Sequence, residues 1–377
     1  MRRPVPFLLA GYWTVAIVPG ATAANLPLSM PFEYQNQIYL RVAVNRSPPM
    51  LFVLDSGAGG CVIDTATAGR LRLQIEGQRQ GTGAGKGGIA VSFAKNVTYR
   101  LPGLSLSVPQ SYVIDLSGQR TLQGRNVAGI LGYDFFARYV VRLDFEAGVM
   151  TLDNPQTYAP PPKAAIVPFT LLKHTPHVSV RVKVEGRAPA DHQVLVDTGS
   201  ADAVDVDDLA TAPKKLEVIG GVGLGEEFRT TLARAEWLEI GGSRLSGPVG
   251  ATGGVELIGL EVLRRFNVTF DYPHTRIILL PNRHVAEPFA FDASGLDLRW
   301  TPDLKHLVIH DVAKGSVAAE AGLHTGEQIV SIDHQPAEAF RIDQVNQLLT
   351  EDGARIELGV IGSGRRREVT LQLRKRL

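Results

Sequence analysis

Apolar and polar residues alternate along Ile38-Tyr-Leu-Arg-Val-Ala-Val44 and again along Val178-Ser-Val-Arg-Val-Lys-Val184. That period of two predicts half-buried strands. Each alternating run is followed by an apolar run ending in an acid and a turn. The first is Phe52-Val53-Leu54-Asp55-Ser56-Gly57-Ala58, the second Val194-Leu195-Val196-Asp197-Thr198-Gly199-Ser200. The strands are offset by 140 residues (178 − 38) and the aspartates by 142 (197 − 55). A later block repeats as well. Gly132 to Leu152 aligns without gaps to Gly259 to Leu279, at an offset of 127 (259 − 132). Within it Asp134 matches Glu261, Tyr139 matches Phe266 and Asp144 matches Asp271. Repetition of this extent signals tandem structural units. The order predicted for each copy is strand, Asp-Ser/Thr-Gly, glycine-rich hairpin, apolar pair plus Gly, short helix, strand pair.

The hairpin candidates are Gly81-Thr-Gly-Ala-Gly-Lys-Gly-Gly88, leading into Ile89-Ala-Val-Ser-Phe93, and Gly220-Gly-Val-Gly-Leu-Gly225. A single Asp-Ser/Thr-Gly is ordinary turn chemistry. Two copies inside one duplication point instead to a carboxylate pair. Two carboxylates sharing a proton let one group deprotonate water while the other protonates a substrate carbonyl. Gly57 and Gly199 permit a sharp turn after each strand and a close backbone approach to the carboxylates.

On these motifs the chain resembles retropepsin-like and pepsin-like aspartic peptidases over about residues 30 to 280. The resemblance implies two lobes, each giving one catalytic aspartate, Asp55 and Asp197, to a central cleft. It also implies that Ser56, Gly57, Thr198 and Gly199 support the dyad, with the two hydroxyls bonding across the lobe interface. The hairpins would act as flaps, with Gly83, Ala84, Gly85 and Gly223 over the substrate. The first hairpin has no Tyr, and Ala58 follows its motif, both closer to the retroviral or bacterial branch. Ser200 is closer to pepsin.

Beyond about residue 290 the pattern changes. Gly295-Leu-Asp-Leu-Arg-Trp300 and Leu307-Val-Ile-His-Asp-Val312 precede Gly315-Ser-Val-Ala-Ala-Glu-Ala-Gly-Leu323 and Gly326-Glu-Gln-Ile-Val-Ser-Ile332. A helix is predicted over Ile342 to Leu349, then strands around Arg355 to Val360 and Arg367 to Leu373. This run resembles a PDZ domain. The resemblance implies that Gly295, Leu296, Asp297 and Leu298 form the peptide-binding loop, with Asp297 where the family's second loop glycine stands. A peptide would add as a strand to the sheet edge; the alternative is a docking module against the protease lobes.

The 377 residues carry a net charge of +1, which gives no reason to invoke nucleic acid. With 44% hydrophobic and 20% charged residues, the composition is that of a packed protein. Arg2-Arg3, the apolar stretch Phe7 to Val18 and Ala21-Thr-Ala23 together read as a signal peptide. The expected location is therefore outside the cytoplasm, in a bacterial periplasm, with an uncleaved membrane anchor as the alternative. Cys61 is the one cysteine, so no internal disulfide can form; Gly60-Cys-Val-Ile63 reads as a buried strand rather than a nucleophile's site.

Several other motifs fail. Gly83-Ala-Gly-Lys-Gly-Gly88 spells G-x-G-x-x-G, but a β-branched run follows where a dinucleotide site needs a helix. His174 and His177 are separated by Pro176 and read as strand-edge surface residues. Asp202, Asp205, Asp207 and Asp208 read as a solvated turn without the glycine and terminal Glu of a calcium loop. Arg365-Arg-Arg367 reads as a hairpin tip.

The expectation is a mainly β protein: a signal peptide at 1–24, pseudo-symmetric acid-protease β-barrel lobes at 25–154 and 163–281, and a small α+β PDZ-like domain at 290–377. The Pro-rich stretch 154–162 links the lobes. The expected activity is that of an aspartic endopeptidase acting on extended peptides or unfolded protein. It needs no cofactor, metal or nucleic acid, and a monomer suffices because both aspartates lie in one chain. The rival reading is a peptide-binding protein that is non-catalytic or gated by the PDZ-like domain.

Overall fold

A computed structural model describes residues 26–82, 88–220 and 227–377. The signal-peptide segment and Gly83, Ala84, Gly85 and Gly223 lie outside the described residues. The protein is mostly β with short helices. The alternating runs fold as strands Ile38–Val44 and Thr175–Lys183; the second alternates buried with more exposed positions, whereas the first is buried throughout except at Arg41 and Ala43.

A six-stranded antiparallel sheet joins the two copies of the repeat. Strands Leu28–Pro31, Val149–Asp153 and Val140–Asp144 come from the first copy, Phe266–Asp271, Arg276–Pro281 and Ala165–Pro168 from the second. The join is the pairing of Val140–Asp144 with Phe266–Asp271, in which Arg142 faces Thr269. Those two residues occupy the same place in the repeated block (269 − 142 = 127). One apolar core runs through both copies, from Met30 to Phe289. The C-terminal unit has its own core, built on Trp300, Ile309, Ile329, Val345 and Leu358.

Both hairpin stems are present. Strand Ile75–Thr82 pairs with Gly88–Leu101, and Lys215–Gly220 pairs with Phe228–Arg234. A smaller apolar cluster, including Val53, Val62, Val91 and Ile130, lies at the base of the first.

After the last strand of the joining sheet, the chain is tied down by an arginine that pattern reading did not single out. Arg265 is fully buried, and its guanidinium donates to the carbonyls of Glu261 (2.8 Å), His284 (2.9 Å) and Glu287 (2.6 Å). It also lies 3.7 Å from the centre of the Phe289 ring. One side chain thus organises the connection to the C-terminal unit.

The expected helix forms at Ile342–Leu348, one residue short of the predicted end. The tip after Arg355–Gly362 is Ser363-Gly364, both with positive φ, so Arg365 to Arg367 begin the next strand instead of forming the tip. Arg367 pairs with Glu327 at 2.7 Å.

Candidate active site

Each aspartate sits at the end of a buried strand pinned by a parallel neighbour. Met50–Leu54 pairs with Val127–Leu131, and Ala190–Val196 with Leu257–Ile258. The same hydrogen bond closes both pairs: Asp55 N donates to Leu131 O at 3.0 Å and Asp197 N to Ile258 O at 2.9 Å. The glycine after each apolar pair is a steric requirement. A Cβ on Gly132 would come within 2.7 Å of Ala58 O, and one on Gly259 within 2.8 Å of Ser200 O. The next residue in each copy bonds the same carbonyl, Tyr133 N to Ala58 O (3.0 Å) and Leu260 N to Ser200 O (2.9 Å). The sequence element "apolar pair plus Gly" therefore exists to seat the loop that carries the aspartate.

Within each loop the glycine amide holds its carboxylate. Gly57 N donates to Asp55 Oδ1 at 2.7 Å, and Gly199 N to Asp197 Oδ1 at 2.7 Å. Ala58 N adds a second bond to Asp55 Oδ1 at 3.1 Å. The same glycines let the loops meet. A Cβ on Gly57 would lie 2.7 Å from the Asp197 carboxyl, and one on Gly199 2.5 Å from the Asp55 carboxyl. No side chain fits at either position without moving a carboxylate.

Ser56 and Thr198, both fully buried, cross-link the two loops. Ser56 N donates to Thr198 Oγ1 (2.9 Å) and Thr198 N to Ser56 Oγ (3.0 Å). Each hydroxyl then donates to the strand of the other copy, Ser56 Oγ to Val196 O (2.7 Å) and Thr198 Oγ1 to Leu54 O (2.8 Å). Four hydrogen bonds fix the separation of Asp55 and Asp197.

The two carboxyls face one another across the paired loops, and both titrate above the usual carboxylate range. Burial is the main cause at both. At Asp55 the facing charge of Asp197 adds to it, whereas amides of Gly57 and Ala58 pull the other way. At Asp197 the bonds from Asp55 and the Gly199 and Ser200 amides oppose burial without cancelling it.

Three further residues shape this centre and were not among those picked from sequence. Gln37, buried, donates from Nε2 to Gly199 O at 3.0 Å. Tyr272, also buried, donates from its hydroxyl to Ser56 O at 3.2 Å. Its place in the repeat matches Phe145 (272 − 127 = 145), so an aromatic position shared by the two copies was the available signal. His174, expected as a strand-edge surface residue, is exposed but reaches the other copy: its Nδ1 lies 3.3 Å from Gly59 O, and its ring stacks on Tyr133 at 4.2 Å.

The acidic cluster is not uniformly a solvated turn. Asp202 and Asp207 are exposed, but half-buried Asp205 accepts a bond from Ala251 N at 2.7 Å. Burial and the neighbouring Asp202 push its carboxyl well up. Cys61 is fully buried and its thiol is held un-ionised by burial, with its amide donating to Asp134 Oδ2 at 2.8 Å. That environment suits packing, not nucleophilic attack.

In the C-terminal unit Gly295 has φ +83°, and a Cβ there would collide with Ser316. Leu296, Asp297 and Leu298 enter the edge strand Leu296–Trp300. Leu298 is buried in the core, and Asp297 Oδ2 accepts from Arg299 at 2.9 Å.

Comparison with known proteins agrees with this geometry. Residues 40–135 match the family model described as aspartyl protease, a stretch that includes Asp55 and ends before Asp197. Residues 292–361 match the model of the PDZ domain. No curated protein matches the chain. The protein therefore carries an aspartyl protease domain, matched at 40–135, followed by a C-terminal PDZ domain at 292–361.

Proposed function

We propose that the protein is an aspartic endopeptidase in which Asp55 and Asp197 form the catalytic dyad between two pseudo-symmetric lobes. The observation that carries this reading is the cross-linked pair of Asp-Ser/Thr-Gly loops, which brings each carboxyl against the glycine of the other loop. At about 3 Å and an effective dielectric near 20, two carboxylate charges repel by roughly 5.5 kcal/mol, or about 4 pKa units. One proton is therefore retained by the pair at moderate pH. The ionised member takes a proton from water as the oxygen attacks the peptide carbonyl. The shared proton passes to the carbonyl oxygen, giving a tetrahedral diol. As the C–N bond breaks, the proton taken from water passes to the departing nitrogen and one diol hydroxyl returns its proton to the pair, which ends with one proton as it began. The titration belongs to the pair, so neither residue owns the proton.

The two hairpin stems flank the cleft on this reading. Both aspartates lie in one chain, so activity does not require a dimer. The N-terminal pattern of Arg2-Arg3, apolar stretch and Ala21-Thr-Ala23 supports export to a periplasm. Incubation of full-length protein with denatured casein, with products read by mass spectrometry, tests the reading. Cleavage at interior bonds is the expected result. Binding of casein without any new termini would favour the rival, a peptide-binding protein without hydrolysis.

A further inference from the structure

In the PDZ sheet, strand Leu296–Trp300 lies at one end and, among the described residues, pairs on one side only, with Leu307–Val312. An open edge of this kind is where an extended peptide can add as a further strand. Here the protease domain stands against it. Helix Ser117–Gln123 packs on the strand, and Gly124 abuts the Trp300 ring so closely that a Cβ would lie 2.5 Å from it.

The backbone amides that could receive a carboxylate at the start of this strand are already engaged. Ser294 N and Gly295 N donate to Asp292 at 2.9 and 2.6 Å, and Leu296 N donates to Ser294 Oγ at 3.1 Å. Arg376 holds the same Asp292 carboxylate at 3.2 Å. A resident carboxylate thus fills the loop.

A second carboxylate-binding position lies further along. Arg299 is buried; one guanidinium nitrogen donates to Asp297 (2.9 Å) and another donates to Glu227 Oε1. The other oxygen of Glu227 lies 3.1 Å from His310 Nε2. Glu227 belongs to the protease domain, one residue before hairpin strand Phe228–Arg234. Burial raises its carboxyl, but the bonds from Arg299 and His310 outweigh that and hold it below the usual range. A cation with one face on Asp297 and the other on a carboxylate from another domain is a receptor with its ligand in place.

We propose that Arg299 and His310 form a carboxylate-recognition site of the PDZ domain, filled in cis by Glu227. Docking of the domain and addition of an acidic extended peptide to the Leu296–Trp300 edge are then mutually exclusive. The ligand class is an extended peptide whose Asp or Glu side chain replaces Glu227. No readout of the test involves catalysis, so the inference stands or falls separately from the peptidase reading.

The test uses the full chain. Hydrogen exchange is measured in wild type, Glu227→Lys and Arg299→Gln, with Arg181→Gln as an exposed control. Both latch variants should speed exchange in residues 117–124 and 296–300 together, while strand Arg355–Gly362, inside the PDZ sheet, keeps its protection. An acetylated, fluorescein-labelled peptide with the sequence of residues 227–234 is then titrated by fluorescence polarisation. Binding should be about tenfold tighter to Glu227→Lys than to wild type, and lost in Glu227→Lys/Arg299→Gln or when the peptide's Glu is replaced by Gln. Unchanged exchange in both segments, or equal binding to wild type and Glu227→Lys, would overturn the proposal.

Discussion

Removing the Thr198 hydroxyl tests the cross-link between the two aspartate loops. Thr198→Val keeps the shape of a fully buried side chain but deletes an acceptor for Ser56 N and a donor to Leu54 O. Each buried backbone group left without a partner costs about 1–3 kcal/mol. Two such groups give about 4 kcal/mol, from which the extra buried methyl recovers about 1 kcal/mol. The expected loss is therefore about 3 kcal/mol, a large share of the roughly 5–15 kcal/mol that holds a domain together. Ser56→Ala should cost a similar amount, since it strands Thr198 N and Val196 O. Urea unfolding followed through Trp237, in a Trp13→Phe/Trp300→Phe background, reads both variants. The midpoint should fall while the slope stays constant, because the surface exposed on unfolding is unchanged. Activity should fall further than stability at permissive temperature, since a shift of about 1 Å in a reacting group can cost about a hundredfold. Losses under about 0.5 kcal/mol in both variants, the range of surface substitutions, would refute the idea that this clamp sets the dyad.

Gly199→Ala should abolish peptide cleavage while the far-ultraviolet spectrum stays native, because its methyl must displace the Asp55 carboxyl; retained turnover would contradict the close approach. Arg265→Met should lower stability by at least about 3 kcal/mol, since several buried carbonyls lose their donor; Arg244→Met, which removes an exposed pair with Glu239, should cost under about 1 kcal/mol. Stability should also report the dyad's titration. Folding raises the pair above the ordinary aspartate value near about 4, so the folded state binds more protons than the unfolded one in that window. Wild-type stability from this source is complete below the unfolded value and is lost as pH rises through the folded one. Asp55→Asn removes the share contributed by Asp55 and by the repulsion between the two charges, while burial still raises Asp197. Its melting temperature should therefore gain on wild type between pH 3 and pH 7, and a constant difference across that range would argue against a mutually raised pair.

What the sequence made legible was local and repeated. Alternation placed Ile38–Val44 and Thr175–Lys183, and the duplicated Asp-Ser/Thr-Gly with its later apolar pair plus Gly marked both halves of the carboxylate centre. Those signals survive in one dimension because strand period and turn chemistry are set by near neighbours. Contacts between distant segments left no such trace. Gln37 reaches Gly199 across 162 positions, and nothing around Gln37 distinguishes it from any polar turn residue. Nothing in Leu-Arg-Arg-Phe marks Arg265, whose guanidinium donates to carbonyls of a later loop. His174 is exposed, as its sequence suggested, but its partners Gly59 and Tyr133 belong to the other copy and left no local trace. The PDZ loop shows the reverse limit: Gly295 was recognisable from its motif, but the filling of the loop by Asp292 depends on a side-chain position that the motif does not encode.

The most direct test of the dyad is casein hydrolysis across pH 3 to 8 by wild type, Asp55→Asn and Asp197→Asn, each first shown to be folded. Asn matches Asp in shape but can neither take a proton from water nor share one with its partner. Cleavage is expected from wild type alone, with a pH profile whose limbs report the pair and not a single residue. Cleavage by either Asn variant at near wild-type rate would contradict the assignment of Asp55 and Asp197 as the groups that activate water.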